Sequence, residues 1–332
     1  MAEITIKKTG EKIVVFKIQN NSGAYVEVIN SGATLVSAVA PDKSGQLENV
    51  ILNYKNVEDY LTDSFYLGST VGRFANRIAK AQFKINEQTY YLDKNDGNNS
   101  NHGGFNGFNS RLFDYEIRDN KVIFSYESAD GEGGFPGKLL FSVAYSFSDN
   151  NELDIEYKAV SDKASMFNPT NHAYFDLSAG KVNPLECELK VFADSYLESN
   201  DEFLPTGKIL PLANTPFDFS SGRKISELMP LKNEIIKGYN TFFIGKETKP
   251  GLSRLLASLK DNYSGRILEV YSDMPGIQFY TGDYLSAPFA PFGGLCLEAQ
   301  FYPDAPNQSH FPSCLLSPNQ EVTYCIKYKF LT

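Results

Sequence analysis

Two histidines, one glutamate and an arginine pair carry most of the chemical information in this 332-residue sequence. His102 lies in NSNHGG, where two glycines let the backbone turn tightly or approach a ligand closely; a plain surface turn fits the same letters. His172 lies in NPTNHAYFDL, between side-chain amides and an aromatic pair. It reads as a core histidine satisfied by its neighbours, a metal ligand or a proton donor. Glu298 follows the apolar run LCL in GGLCLEAQFYPDAPNQ. Burial there would raise its pKa into the range useful for proton transfer, whereas on a solvent face it would be an ordinary carboxylate. Strand alternation in LCLEAQF puts Leu295, Leu297, Ala299 and Phe301 on one face and Cys296, Glu298 and Gln300 on the other. GRFANRIAKAQF spaces Arg73 and Arg77 four residues apart, and Asn76 with Arg77 offers several donors for hydroxyl oxygens; surface salt bridges are the other reading.

Other chemistries find no support. The third histidine, His310, has no close histidine partner, and Cys187, Cys296, Cys314 and Cys325 form no CxxC pair, so no metal site is expected. There is no GxxxxGK[ST] or GxGxxG pattern to cradle a nucleotide phosphate, and no GxSxG elbow for a nucleophilic serine.

The elements that must position these residues are strands. KIVVFKIQN, AYVEVIN, KVIFSYES, LLFSVAYSF, ELDIEYKAV, RILEVYS, GIQFYTGDYL and VTYCIKYKF are rich in β-branched and aromatic residues, and many alternate with polar ones. DKNDGNNSN and SADGEGGFPGK read as turns. Helical patterning is confined to Val57 to Thr62, Lys224 to Met229 and Ser253 to Leu256, and Pro211 to Lys249 reads as loops over a sheet. The expectation is an all-β protein, a large antiparallel β-sandwich with a few short helices, forming a single domain over 1–332.

Bulk properties narrow the partners. A formal charge of −9 and a pI near 5.0, without a basic patch, argue against nucleic acid and anionic membrane surfaces and leave a neutral small molecule open. No run is long enough to span a bilayer, and the N-terminus lacks an apolar signal core. Reduced thiols and a cytoplasmic location are expected.

Taken together and in order, GRFANRIAKAQF, NSNHGG, DGEGGFPG, NPTNHAYFDL, SDMPGIQFYTG and LEAQFYPDAPNQ resemble the aldose 1-epimerases, the galactose mutarotase family. The resemblance runs from the N-terminal strands to the final TYCIKYKF. It implies a supersandwich and a cofactor-free isomerase of monosaccharides, monomeric or homodimeric. It also implies residue roles. Asn76 and Arg77 contact the sugar, His102 binds and assists catalysis, His172 is the general acid, Tyr174 lines the site, Gln278 contacts the sugar and Glu298 is the general base. Glu298 as carboxylate would take the anomeric proton, and His172 as imidazolium would protonate the ring oxygen. One position departs from the pattern: KGYNTFF places Asn240, followed by Thr241, where the family usually carries a sugar-binding aspartate. Asn240 keeps one acceptor oxygen and loses the charge, which bears on the preferred aldose. The competing readings are a non-catalytic sugar-binding sandwich, a hexose-phosphate epimerase, and a lyase or hydrolase on a similar scaffold.

Overall fold

Alternation of apolar and polar side chains builds the sheets. In Glu152–Ser161 the side chains of Leu153, Ile155, Tyr157 and Ala159 are buried while their neighbours are more exposed, so one face meets a core. Leu139–Phe147 repeats the pattern beside it, pairing Val143 with Tyr157 and Tyr145 with Ile155. The computed structural model describes residues 3–9, 12–229, 231–232, 235–236, 238–246 and 253–332.

Three antiparallel sheets dominate. The first has five strands in chain order, from Glu3–Thr9 to Leu47–Asn49. The second has nine, ordered Asp114–Arg118, Lys121–Ser128, Leu139–Phe147, Glu152–Ser161, Val322–Leu331, Ile267–Ser272, Arg254–Lys260, Glu188–Val191 and Arg223–Lys224. The third has six, ordered Tyr174–Phe175, Leu295–Gln300, Gly276–Tyr280, Asn240–Gly245, Ala193–Ser199 and Pro205–Pro211. One apolar cluster draws on all three, with Val28 from the first, Phe124, Tyr157 and Tyr328 from the second, and Phe243 and Leu297 from the third. Burying a side chain such as Leu297 stabilises the fold by roughly 1.5–3 kcal/mol.

Helix is scarce, as expected. Val57–Thr62 is a 3-10 helix, and Lys224 to Met229 contains a single α-turn, Ile225–Leu228. Ser253 to Leu256 is a correction: Arg254–Lys260 is a strand between Ile267–Ser272 and Glu188–Val191, with a register shift at Leu255/Ala257. Its leucine spacing suits a helix, but burial of Leu256, Ala257 and Leu259 in the sheet overrides local preference. Pro211 to Lys249 is only partly loop, because Asn240–Gly245 is an interior strand of the six-stranded sheet; positions 230, 233, 234, 237 and 247–249 lie outside the described residues. Among the described residues, no helix is long and apolar enough to cross a membrane.

Candidate active site

The side chains of Leu295–Gln300 are buried on both faces, which removes the solvent-face reading of Glu298. Leu295, Leu297 and Ala299 point into the main core, as alternation requires, while Phe301 joins a second apolar cluster. Glu298, only 2% exposed, stands opposite Gln278 on the neighbouring strand and lines a cavity of about 610 Å³. Asn76, Arg77, His102, His172, Tyr174, Asn240 and Gln278 line the same cavity.

The amides around His172 serve as glue. Asn168 donates to the carbonyl of Ala75 (3.2 Å) and accepts from the N–H of Phe301 (2.8 Å). Thr170 donates to the Ala299 carbonyl and Asn171 to the Gly68 carbonyl, each at 2.8 Å. The peptide of His172 is held as well, its N–H donating to Ser69 and its carbonyl accepting from Gly68. His172 is thereby fixed between the loop leading to Arg77 and the strand bearing Glu298. Its Nε2 lies 3.6 Å from Glu298 Oε1, and its Nδ1 lies 3.6 Å from Cys296 Sγ.

A second clamp sets His102. The Asn76 N–H donates to His102 Nδ1 at 3.2 Å, and the His102 N–H donates to the Asn76 carbonyl at 3.2 Å. Accepting at Nδ1 leaves the neutral ring with its proton on Nε2. Three pocket residues, Tyr66 (φ 58°), Asn76 (φ 66°) and His102 (φ 51°), adopt left-handed backbone; asparagine tolerates this readily, and tyrosine is an outlier of the kind found at functional sites. Gly103 belongs to the clamp too: at φ 87°, a Cβ there would fall 2.1 Å from the Gly72 carbonyl oxygen.

The arginine pair divides. Arg73 is buried away from the cavity, donating to Ser128 Oγ and to the carbonyls of Ser128, Ala129 and Pro136. It braces the loop and does not line the pocket, so neither the ligand-binding nor the surface reading holds for it. Arg77 reaches the pocket with Nε on Asp96 Oδ2 at 2.7 Å and its guanidinium 5.2 Å from the centre of the Phe203 ring. Tyr174 lines the wall; its hydroxyl donates to the Phe65 carbonyl (3.0 Å), and its ring lies 5.0 Å from that of His172. Gln278 Nε2 donates to Asn240 Oδ1 at 2.6 Å.

Burial governs the charges. It pushes Glu298 up to about 8, opposed by the positive charge of Arg77, and pushes His172 down to about 4. His102 falls well below its usual value, first through burial and then through the His172 and Arg77 charges. Burial therefore favours a protonated Glu298 and a neutral His172, where the sequence reading had a carboxylate and an imidazolium. Both arrangements hold one proton and no net charge; they differ by one proton transfer.

Several neighbours had no local signal. Tyr66 sits with its ring 4.6 Å from that of His102 and 5.9 Å from that of His172. Asp96 looked like part of a turn, and Phe203 belonged to none of the motifs. Cys296 was visible only as a face-mate of Glu298. Together His172, Cys296 and Glu298 place one donor atom each within 4.8 Å of one another, a set that could ligate a cation such as zinc. Burial holds the thiol and the carboxyl protonated, which opposes metal binding.

Comparison with known proteins gives the chain a family. The family model for aldose 1-epimerase matches residues 14–329. Galactose mutarotase of Mus musculus is 39% identical over 315 residues, covering 92% of this chain and 90% of that protein. Aldose 1-epimerase of Escherichia coli K12 is 33% identical over 334 residues, covering 97% and 96%. Among solved structures, an aldose epimerase homologue from C. elegans superposes with a TM-score of 0.89 at 28% identity, covering 100% of this chain and 99% of that one. Galactose 1-epimerase from Lactobacillus acidophilus superposes with a TM-score of 0.87 at 27% identity and the same coverage.

Proposed function

The chain belongs to the aldose 1-epimerase family and is an isomerase of aldose anomers; on that premise we propose that it acts on free hexoses of the galactose and glucose type, with Glu298 and His172 as its acid–base pair. The observation that carries this reading is the 3.6 Å approach of His172 Nε2 to Glu298 Oε1 inside a pocket lined by hydroxyl-binding groups.

Ring opening needs a base at the anomeric hydroxyl and an acid at the ring oxygen. Hydroxyl donors of a bound sugar compensate the buried carboxylate for lost water, drawing the resting proton from Glu298 to His172. Glu298 then takes the O1 proton. The C1–O5 bond breaks, its electron pair goes to O5, and O5 takes the proton from His172 Nε2. C1–C2 rotation and reclosure reverse both transfers and yield the other anomer. Each group contributes roughly 10²–10⁴-fold. The neutral pair favoured by burial is the arrangement that accompanies the open aldehyde. No step calls on a cofactor.

Arg77, with Nε on Asp96, offers its terminal N–H groups to hydroxyls, and His102 offers Nε2–H. Asn240 and Gln278 act on hydroxyls as a joined amide pair. The carboxylates Asp96, Asp201 and Glu202 also line the pocket, and Arg77 is the sole Lys or Arg among the described lining residues, which favours a neutral sugar over a hexose phosphate. The cluster shared by the three sheets supports one domain over 1–332, and the free cysteines fit a reducing cytoplasm.

The test is optical rotation after dissolving α-D-galactose or α-D-glucose. Wild type accelerates the approach to equilibrium, and Glu298→Gln and His172→Gln each lose about 10²-fold or more in kcat. A wild type that leaves the spontaneous rate unchanged for both sugars would overturn the hexose assignment, and failure on xylose, maltose and glucose 6-phosphate as well would leave a non-catalytic sugar-binding protein.

A further inference from the structure

The strand that supplies Glu298 supplies a second side chain to the same histidine. Cys296 precedes Glu298 by two residues, so both leave the strand on one face. Glu298 Oε1 lies 3.6 Å from His172 Nε2, and Cys296 Sγ lies 3.6 Å from His172 Nδ1. A single strand thus addresses both nitrogens of one imidazole.

The aromatic contacts of that ring cannot tell its nitrogens from its carbons. Tyr174, His102 and Tyr66 surround it with centroid separations of 5.0, 5.3 and 5.9 Å. Such aromatic packing limits tilt, yet it is nearly blind to a half-turn about χ2 that exchanges the two edges of the imidazole. A polar contact at Nδ1 is not blind to it. Building on the assignment of His172 as a proton-transfer group, we infer that Cys296 is a positioning residue: its sulfur accepts the Nδ1–H of His172, which keeps Nδ1 protonated and confines proton exchange to Nε2, the nitrogen facing Glu298.

The contrast with His102 supports the role. There a backbone N–H donates to Nδ1, so the ring proton is fixed on Nε2 and the residue is a permanent donor. His172 meets sulfur at Nδ1, which can accept, so Nε2 is free to give and take a proton. A thiol also suits a reversible step better than a carboxylate would. An aspartate at this place stabilises the imidazolium, as in serine hydrolases. Cys296 is fully buried, and burial keeps its thiol uncharged, so it orients the ring without locking the proton onto it.

Cys296→Ala, Cys296→Ser and His172→Gln are compared by polarimetry on α-D-galactose, alongside ¹⁵N NMR of the histidine rings. Cys296→Ala is expected to lower kcat about tenfold, in line with loss of orientation at a reacting group, with KM within about twofold of wild type. Cys296→Ser, whose hydroxyl also accepts, is expected to recover most of the loss. The His172 signals in wild type should report a proton held on Nδ1, and Cys296→Ala should show mixed tautomers. Unchanged kcat in Cys296→Ala overturns the proposal. So does an equal loss in Ala and Ser variants, which marks simple packing. If Cys296→Ala does not fold, the Ser variant and the wild-type ring signals decide alone: a wild-type proton on Nε2 overturns the assignment. If His172→Gln keeps full activity, the acid–base reading fails first and the role of Cys296 falls with it.

Discussion

Gln278 Nε2 donates to Asn240 Oδ1 at 2.6 Å, so the one acceptor oxygen of Asn240 is already engaged before a sugar arrives. Asn240 can then offer a hydroxyl its N–H groups and the one remaining, uncharged lone pair of that oxygen. An aspartate here would accept from Gln278 with one oxygen and keep a charged acceptor for the sugar. Charged hydrogen bonds exceed neutral ones by about 1 kcal/mol. Asn240→Asp should therefore lower KM for galactose about fivefold and leave kcat within about twofold, as read from initial polarimetric rates. An unchanged or raised KM would show that the amide pair, as it stands, suits the substrate better than the acid.

With the roles proposed for them, Glu298 and His172 together set the pH profile. One proton on the pair is the working state, whichever residue holds it, because ring opening moves one proton on and one off. With His172 pushed down to about 4 and Glu298 up to about 8, the pair keeps a single proton between those values. kcat/KM should show a plateau across neutrality, fall above about pH 8 as the pair loses its proton, and fall near pH 4 as it gains a second. The two limbs belong to the pair and not to either residue alone. A profile that rises steadily through pH 9 would rule out a one-proton pair.

Stability should carry the opposite signature of the same burial. Glu298 titrates near 4.5 when unfolded and about 8 when folded, so the folded state holds its proton over a range where the unfolded state has lost it. Stability from this group is complete below pH 4.5 and is lost as pH rises toward 8. Glu298→Gln removes the titration. It should be more stable than wild type at pH 7, by on the order of 1–3 kcal/mol, with the gap closing near pH 4.5. His172 works in the other direction, losing stability as pH falls from 6.5 toward 4, and is common to both proteins. Urea midpoints at pH 5, 6, 7 and 8 measure the gap; a constant difference across that range would contradict a raised Glu298.

Much of this was legible in the sequence. Alternation in ELDIEYKAV and LLFSVAYSF specifies half-buried strands, and those strands lie where the letters put them. The short motifs named eight pocket residues because each motif is a local device, such as the Gly103 that lets His102 pack against Gly72. What escaped depends on distance in space. Asp96 meets Arg77 across 19 positions, and Cys296 meets His172 across 124. Arg73 was indistinguishable from Arg77 by residue type; only the carbonyls around Ser128 make it a brace. The leucines of Arg254–Lys260 look helical until neighbouring strands claim their backbone.

The pocket's charge predicts which sugars it refuses. Asp96, Asp201 and Glu202 line it against one cation among the described residues, Arg77, whose Nε is already bound to Asp96. A phosphate entering this field meets several like charges near the surface, each costing a fraction of a kcal/mol to about 1 kcal/mol after solvent screening. Glucose 6-phosphate should therefore be used with kcat/KM about 10²-fold below that of glucose at low salt, and added salt should narrow the gap, because the mouth is open to counterions. The double variant Asp201→Asn, Glu202→Gln should narrow it further while leaving glucose turnover within about twofold, since neither side chain has a role in the proton transfers. Equal turnover of glucose and its phosphate at low salt would mean that these carboxylates do not face the bound sugar, and the preference for neutral aldoses would have to come from elsewhere in the site.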